Sequence, residues 1–137
     1  MSQSLIRRAY EGRLATWAAA RSPALPVAYE NAPYTPVNGA TFLRAYVLPA
    51  PTDAPDLAGN LRTYRGVFQV SICCPINTGP GAAAGIADEL AALFVVNARL
   101  TSGGITVQQI TPCSIAPALQ DETHYIVPVS FQYRCDT

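Results

Sequence analysis

Lysine is absent from this 137-residue chain, and its nine arginines are balanced by nine aspartates and glutamates, leaving no formal net charge. That balance excludes the general excess of positive charge by which nucleic-acid-binding domains are recognised and leaves room only for a local basic patch. Histidine occurs once, at position 124, and the four cysteines (73, 74, 113 and 135) contain no C-x-x-C pair, so no metal site follows from spacing. His124 also has no Ser, Cys or carboxylate that the sequence alone brings near it, which argues against a catalytic triad. Charged residues are scarce as well. At 13%, against about 25% in ordinary domains, they imply that part of the surface is covered by other subunits. Long apolar runs are missing, because Asp88 and Glu89 interrupt the best candidate for a membrane span. Glu11, Gly12 and Arg13 break the N-terminal stretch before it can read as a signal peptide. The expected setting is a reducing cytoplasm with free thiols.

What is present is a chain of one-domain size, residues 1–137, expected to bury roughly two-thirds of the surface it exposes when unfolded. It is organised around the stretch from Tyr64 to Val96. In its first part Phe68, Val70, Ile72 and Cys74 share one face, while Arg65, Gln69 and Ser71 share the other with Val67 and Cys73, a strand with one dry side. Pro75 and the turn residues 77–81 end it, with Thr78 placed to cap a helix. That helix is expected over 81–96, where Ile86, Leu90, Leu93 and Phe94 form a stripe flanked by Ala83 and Ala87.

Before this stretch, Leu5 to Arg21 reads as a helix with Ser4 as cap and Ile6, Tyr10, Leu14 and Trp17 on one side. A short strand is expected at 27–31, then a proline-broken segment at 32–39, then a strand at 41–48 with both faces partly apolar. The segment 49–63 is a long proline-rich loop, of the kind that is either mobile or a contact site. After the second helix, 98–104 reads as a turn, 105–110 and 114–119 as strand pieces broken near Pro112 and Pro117, and 120–123 as a hairpin connection. The last strand, 124–135, alternates cleanly, with Tyr125, Val127, Val129, Phe131, Tyr133 and Cys135 on one side. The expected fold is α+β, two helices packed on one face of a mostly antiparallel or mixed sheet of about five strands.

Gly79, Gly81 and Gly85 follow a strand and open a helix, where phosphate-binding glycines sit, but the spacing G-x-G-x-x-x-G and the missing Lys-Ser/Thr make nucleotide binding a minor alternative. Close helix–sheet packing, or contact with a neighbouring chain, explains these small residues more simply. The paired carboxylates Asp53/Asp56 and Asp121/Glu122 lie in loops, where such pairs are usually solvated. If the strand at 64–75 and the last strand share a sheet, Arg65, Gln69, Ser71, Gln132 and Arg134 form a polar outer face. It is either plain hydrated surface or a site whose guanidinium forks grip a partner's carboxylates.

The order of elements, with the segments RGVFQVSI and IADELAALF and the closing SFQYRC, resembles the tail terminator proteins (minor tail protein U-like) of long-tailed bacteriophages and prophages over nearly the whole chain. The resemblance implies a non-enzymatic subunit, without cofactor or metal, that forms a ring, expected as a hexamer, on the tail tube. It implies that this ring stops tube polymerisation and joins the head. Implied partners are further copies of the chain, the tail tube protein and a head-completion or connector protein, with no requirement for nucleic acid or membrane; the implied location is the virion tail, and the host cytoplasm during assembly. On this reading the candidate contact residues are Asp53, Asp56, Arg62, Arg65, Gln69, Gln132 and Arg134. A different head–tail connector or tail-tube protein is the alternative within assembly.

Overall fold

The computed structural model describes residues 2–21, 24–30, 40–54, 62–76, 81–120 and 124–136. In chain order the elements are α1 (Ser2–Ala20), β1 (Val27–Tyr29), β2 (Phe42–Pro49), β3 (Thr63–Pro75), α2 (Gly81–Leu93), β4 (Arg99–Ser102), β5 (Ile105–Gln109), β6 (Ser114–Ile115), β7 (Leu119–Gln120) and β8 (His124–Asp136). The spine is the antiparallel pair β3–β8, in register from Thr63 opposite Asp136 to Pro75 opposite His124. Around it the sheet runs β1-β2-β3-β8-β5-β4, with β6 and β7 also paired to β8; among the described residues the one parallel pairing is β1 with β2. Class and layering are as the periodicity predicts, an α+β fold with a mixed sheet.

The strand count is higher than expected. Residues 98–104, read as a turn, instead contain β4 and its tight connection to β5. Gly103 (φ 56°) and Gly104 (φ 87°) supply the two positive φ values that a two-residue hairpin turn of this hand requires. The segment 114–119 is two short strands, divided around Pro117, which has no N–H to donate to a ladder.

Both helices bury most of the predicted stripes, with shifted ends and with Leu93 only half-buried. In α1 the buried positions are Ile6, Tyr10, Leu14 and Ala18, an unbroken four-residue spacing, and Trp17 packs only at the rim. The helix already begins at Ser2, ahead of the expected cap. In α2, Ala83, Ile86, Ala87 and Leu90 are buried, but the helix stops at Leu93 where the stripe predicts Val96. Two β-branched valines are poor helix formers, and Asn97 takes φ 68°, which turns the chain toward β4. The carbonyl of Phe94, left over by this early ending, accepts from the buried Gln109 Nε2 at 3.0 Å and from Cys113 Sγ at 3.3 Å.

The inner sheet face meets the helices in an aromatic cluster. Tyr10 stacks on Phe68 at 5.4 Å and meets Phe131 edge-on at 5.0 Å, and Phe94 lies 5.1 Å from Phe131. Such pairs add about 0.5–1.5 kcal/mol each beyond their burial, and these join α1, the end of α2, β3 and β8. One glycine makes the arrangement possible. Gly66 lies opposite Tyr133 in the ladder, and a Cβ there would run into the Tyr133 hydroxyl and sit 2.6 Å from the carbonyl oxygen of Leu48. With that space empty, the buried Tyr133 reaches α1, where its hydroxyl donates to Gln3 Oε1 at 2.8 Å.

Candidate interaction surface

Because β3 and β8 are neighbours, the residues predicted for the outer face do come together. Arg65 lies directly opposite Arg134, Val67 opposite Gln132, Gln69 opposite Ser130 and Ser71 opposite Pro128. Like charges facing each other across a ladder repel, and the strand end supplies relief. Asp136 accepts from Arg134 Nε at 3.1 and 3.3 Å and from the Thr63 hydroxyl at 2.7 Å. The Thr63 hydrogen bond, followed by Arg134 and the charge of Arg65, holds the Asp136 carboxyl below its usual range. One carboxylate thus serves two guanidinium groups.

Two further residues belong to this end, Arg99 hidden by reading 98–104 as a turn and Gln108 in the expected strand 105–110, whose partner the sequence did not show. Gln108 pairs with Arg134 and Arg99 pairs with Gln108, so the β4–β5 hairpin extends the face outward. Together with Thr106, Ile110 and Asp136 they line an open cleft of about 420 Å³. The signal available in the sequence was Gly103-Gly104 between two alternating segments. Arg44, opposite Ser71, adds another cation and lies 5.2 Å from the centre of the Phe42 ring.

The face is not uniformly wet. Arg65, Gln132 and Arg134 are exposed and Gln69, which donates to Ser71 Oγ at 3.2 Å, is half-buried, whereas Ser71 and Cys73 are buried. At this drier end His124 packs edge-on against Phe42 at 5.4 Å. Cys73 and its neighbour Cys74 point to opposite sides of the sheet, Cys74 into the core, and all four cysteines are free thiols. Burial pushes Cys74, Cys113 and Cys135 above the ordinary thiol range.

Of the loop candidates, Asp53 is exposed and forms an isolated bridge with Thr63, with paired backbone hydrogen bonds of 2.8 and 3.0 Å that close the base of the segment. Arg62 is exposed immediately before β3. Asp56 lies outside the described residues, as do Thr78 and Gly79 of the glycine-rich turn and the pair Asp121/Glu122. A Cβ at Gly81 or Gly85 would meet open space, so close helix–sheet packing does not account for these two glycines.

On the opposite side of the molecule, charge is largely spent within the subunit. Arg7 bridges Glu11 at 3.2 Å and Glu30 at 3.0 Å, and Arg21 grips both carboxylate oxygens of Glu89, tying α1 to α2. Arg13 donates twice to the carbonyl of Leu93 at the C-terminal end of α2. Among the described residues, the arginines of the outer face share fewer carboxylates. No helix among the described residues is long and apolar enough to cross a membrane, and no three His, Cys, Asp or Glu side chains among them gather as metal ligands.

A family model described as phage tail terminator protein matches residues 5–133. The chain belongs to the phage tail terminator family. It is also similar to a solved structure with 48% sequence identity and a TM-score of 0.85, over 98% of this chain and 96% of that one. No curated protein sequence matches. The tail terminator family is a structural one, not known for catalysis, and membership places this protein among phage tail components. An outer face built from guanidinium, amide and hydroxyl groups is suited to recognition.

Proposed function

We propose that this tail terminator closes into a ring, expected to be a hexamer, on the end of the growing tail tube, halts its polymerisation and offers a surface to the head. The observation that carries the reading is the family match over residues 5–133. The partners are further copies of the chain, the tail tube protein and a head-completion or connector protein. A heterologous contact whose rotation closes gives a ring of fixed number, and weak contacts repeated around it add up to firm capping. The under-paired arginines of the outer face and the segment 49–63 are the surfaces assigned to subunit and tube contacts, through Asp53, Asp56, Arg62, Arg65, Gln69, Gln132 and Arg134.

Sedimentation over a concentration series, with and without purified tail tubes, tests this. The expected result is a ring-sized species, or a monomer that gathers at tube ends and stops their growth. A monomer at every concentration that ignores tube ends refutes it. Excising residues 55–60 is expected to leave the melting curve of the monomer intact, because Asp53 and Thr63 still bridge, while ring formation or tube capping weakens. Loss of folding instead would assign that segment a structural role.

A further inference from the structure

Two exposed patches on different sides of the subunit are complementary. The first lies along α2 and the neighbouring sheet edge, where Ala84, Asp88 and Ile115 help line a shallow apolar groove of about 200 Å³. Ile115 remains 54% exposed. Asp88 is exposed and has no ion-pair partner among the described residues, while the adjacent Glu89 is held by Arg21. Gly85, one turn before Asp88 on the same side of the helix, weakens α2 relative to alanine, yet nothing in the subunit occupies the space a Cβ would take. The groove's floor includes Val127 and Ala87 of the core, so it opens on the helix side of the sheet.

The second patch is the cleft on the open face. There Arg134 is paired with Asp136, but Arg99 is exposed with no ion-pair partner among the described residues, and Ile110 beside it is 38% exposed. Each patch therefore combines one unspent charge with one uncovered aliphatic side chain, and the charges have opposite sign. Their placement on opposite faces of one sheet prevents a subunit from joining them itself and suits head-to-tail contact between copies.

We propose that the α2 groove of one subunit receives the Arg99–Ile110 corner of the next copy, with Asp88 meeting Arg99 and Gly85 leaving room for the approach. The contact rests on the ring reading above and gives it an interface. A heterologous contact of this kind makes a specific prediction about mixtures. Asp88→Arg places arginine against arginine, and Arg99→Asp places aspartate against aspartate. Either variant alone is expected to need at least about tenfold more protein to assemble. In an equimolar mixture every contact again joins opposite charges, so even-numbered rings of alternating subunits re-form.

Sedimentation velocity on the full chain, with folding of each variant checked by circular dichroism, reads these outcomes. Gly85→Trp provides a second route, because it changes no charge and fills the open space; it is expected to melt as the wild-type monomer does but to lose assembly. Wild-type-like assembly by the single variants, or failure of the folded pair to recover on mixing, overturns this contact while leaving a wild-type ring standing. A wild-type protein that stays monomeric and ignores tube ends overturns the ring reading and this interface with it.

Discussion

Gly66→Ala is the substitution whose sign follows most directly from the packing. In an unobstructed strand alanine would be the better residue, since glycine there costs backbone entropy and packs nothing. Here the added methyl runs into the Tyr133 hydroxyl and lies 2.6 Å from the Leu48 carbonyl oxygen, which is backbone and tied into the β2–β3 ladder. Tyr133 is fully buried, so its ring has little room to retreat. Overpacking of this type costs about 1–3 kcal/mol, and pushing the hydroxyl away from Gln3 gives up a hydrogen bond worth about 1 kcal/mol. A net loss of about 3 kcal/mol is a large share of an ordinary domain's stability. With an unfolding entropy of about 2.1 cal/mol/K per residue, it lowers Tm by roughly 10 °C for a chain of this length. The assay is thermal unfolding followed by circular dichroism, at concentrations below assembly so that association does not mask the change. Adding Tyr133→Phe should recover part of the loss, because the nearest obstructing atom is removed. A Gly66→Ala protein that melts at or above the wild-type temperature refutes the reasoning.

Other perturbations probe different parts of the fold. Burial pushes the Tyr133 phenol from 10.0 up to about 12 and Tyr10 upward as well. Their folded-state values exceed the unfolded ones, so this stability is intact below about pH 10 and is lost as pH rises from there toward about 12. A urea midpoint that stays level through that window contradicts the prediction. Arg21→Ala breaks the two-pronged grip on Glu89 between the helices, at 2.9 to 3.2 Å. Because both side chains are partly exposed, a loss of about 0.5–1 kcal/mol is expected, shrinking in molar salt. An equal loss at low and high salt would point to packing by the arginine stem instead of charge.

Alternation and helical spacing in the sequence by themselves determined the α+β class, the dry side of β3 and β8, and most of the residues of α1 and α2 that enter the core, with Ala18 buried where Trp17 was expected and Leu93 only half-buried. Those properties follow from local periodicity, because one face must be apolar for an element to bury it. Element ends were less legible. Past the stop at Leu93, Gln109 and Cys113 arrive from later in the chain to take the Phe94 carbonyl, a contact that local periodicity does not show. The β4 strand was obscured because four residues give little periodicity, although Gly103-Gly104 marked its turn. Only the tertiary structure decided that Arg65 faces Arg134, that Asp136 relieves the pair, and that Arg99 joins the same cleft while Asp88 faces the other way. Register between strands distant in sequence, unlike the face on which a residue lies, is set by the turns and core contacts of the whole molecule.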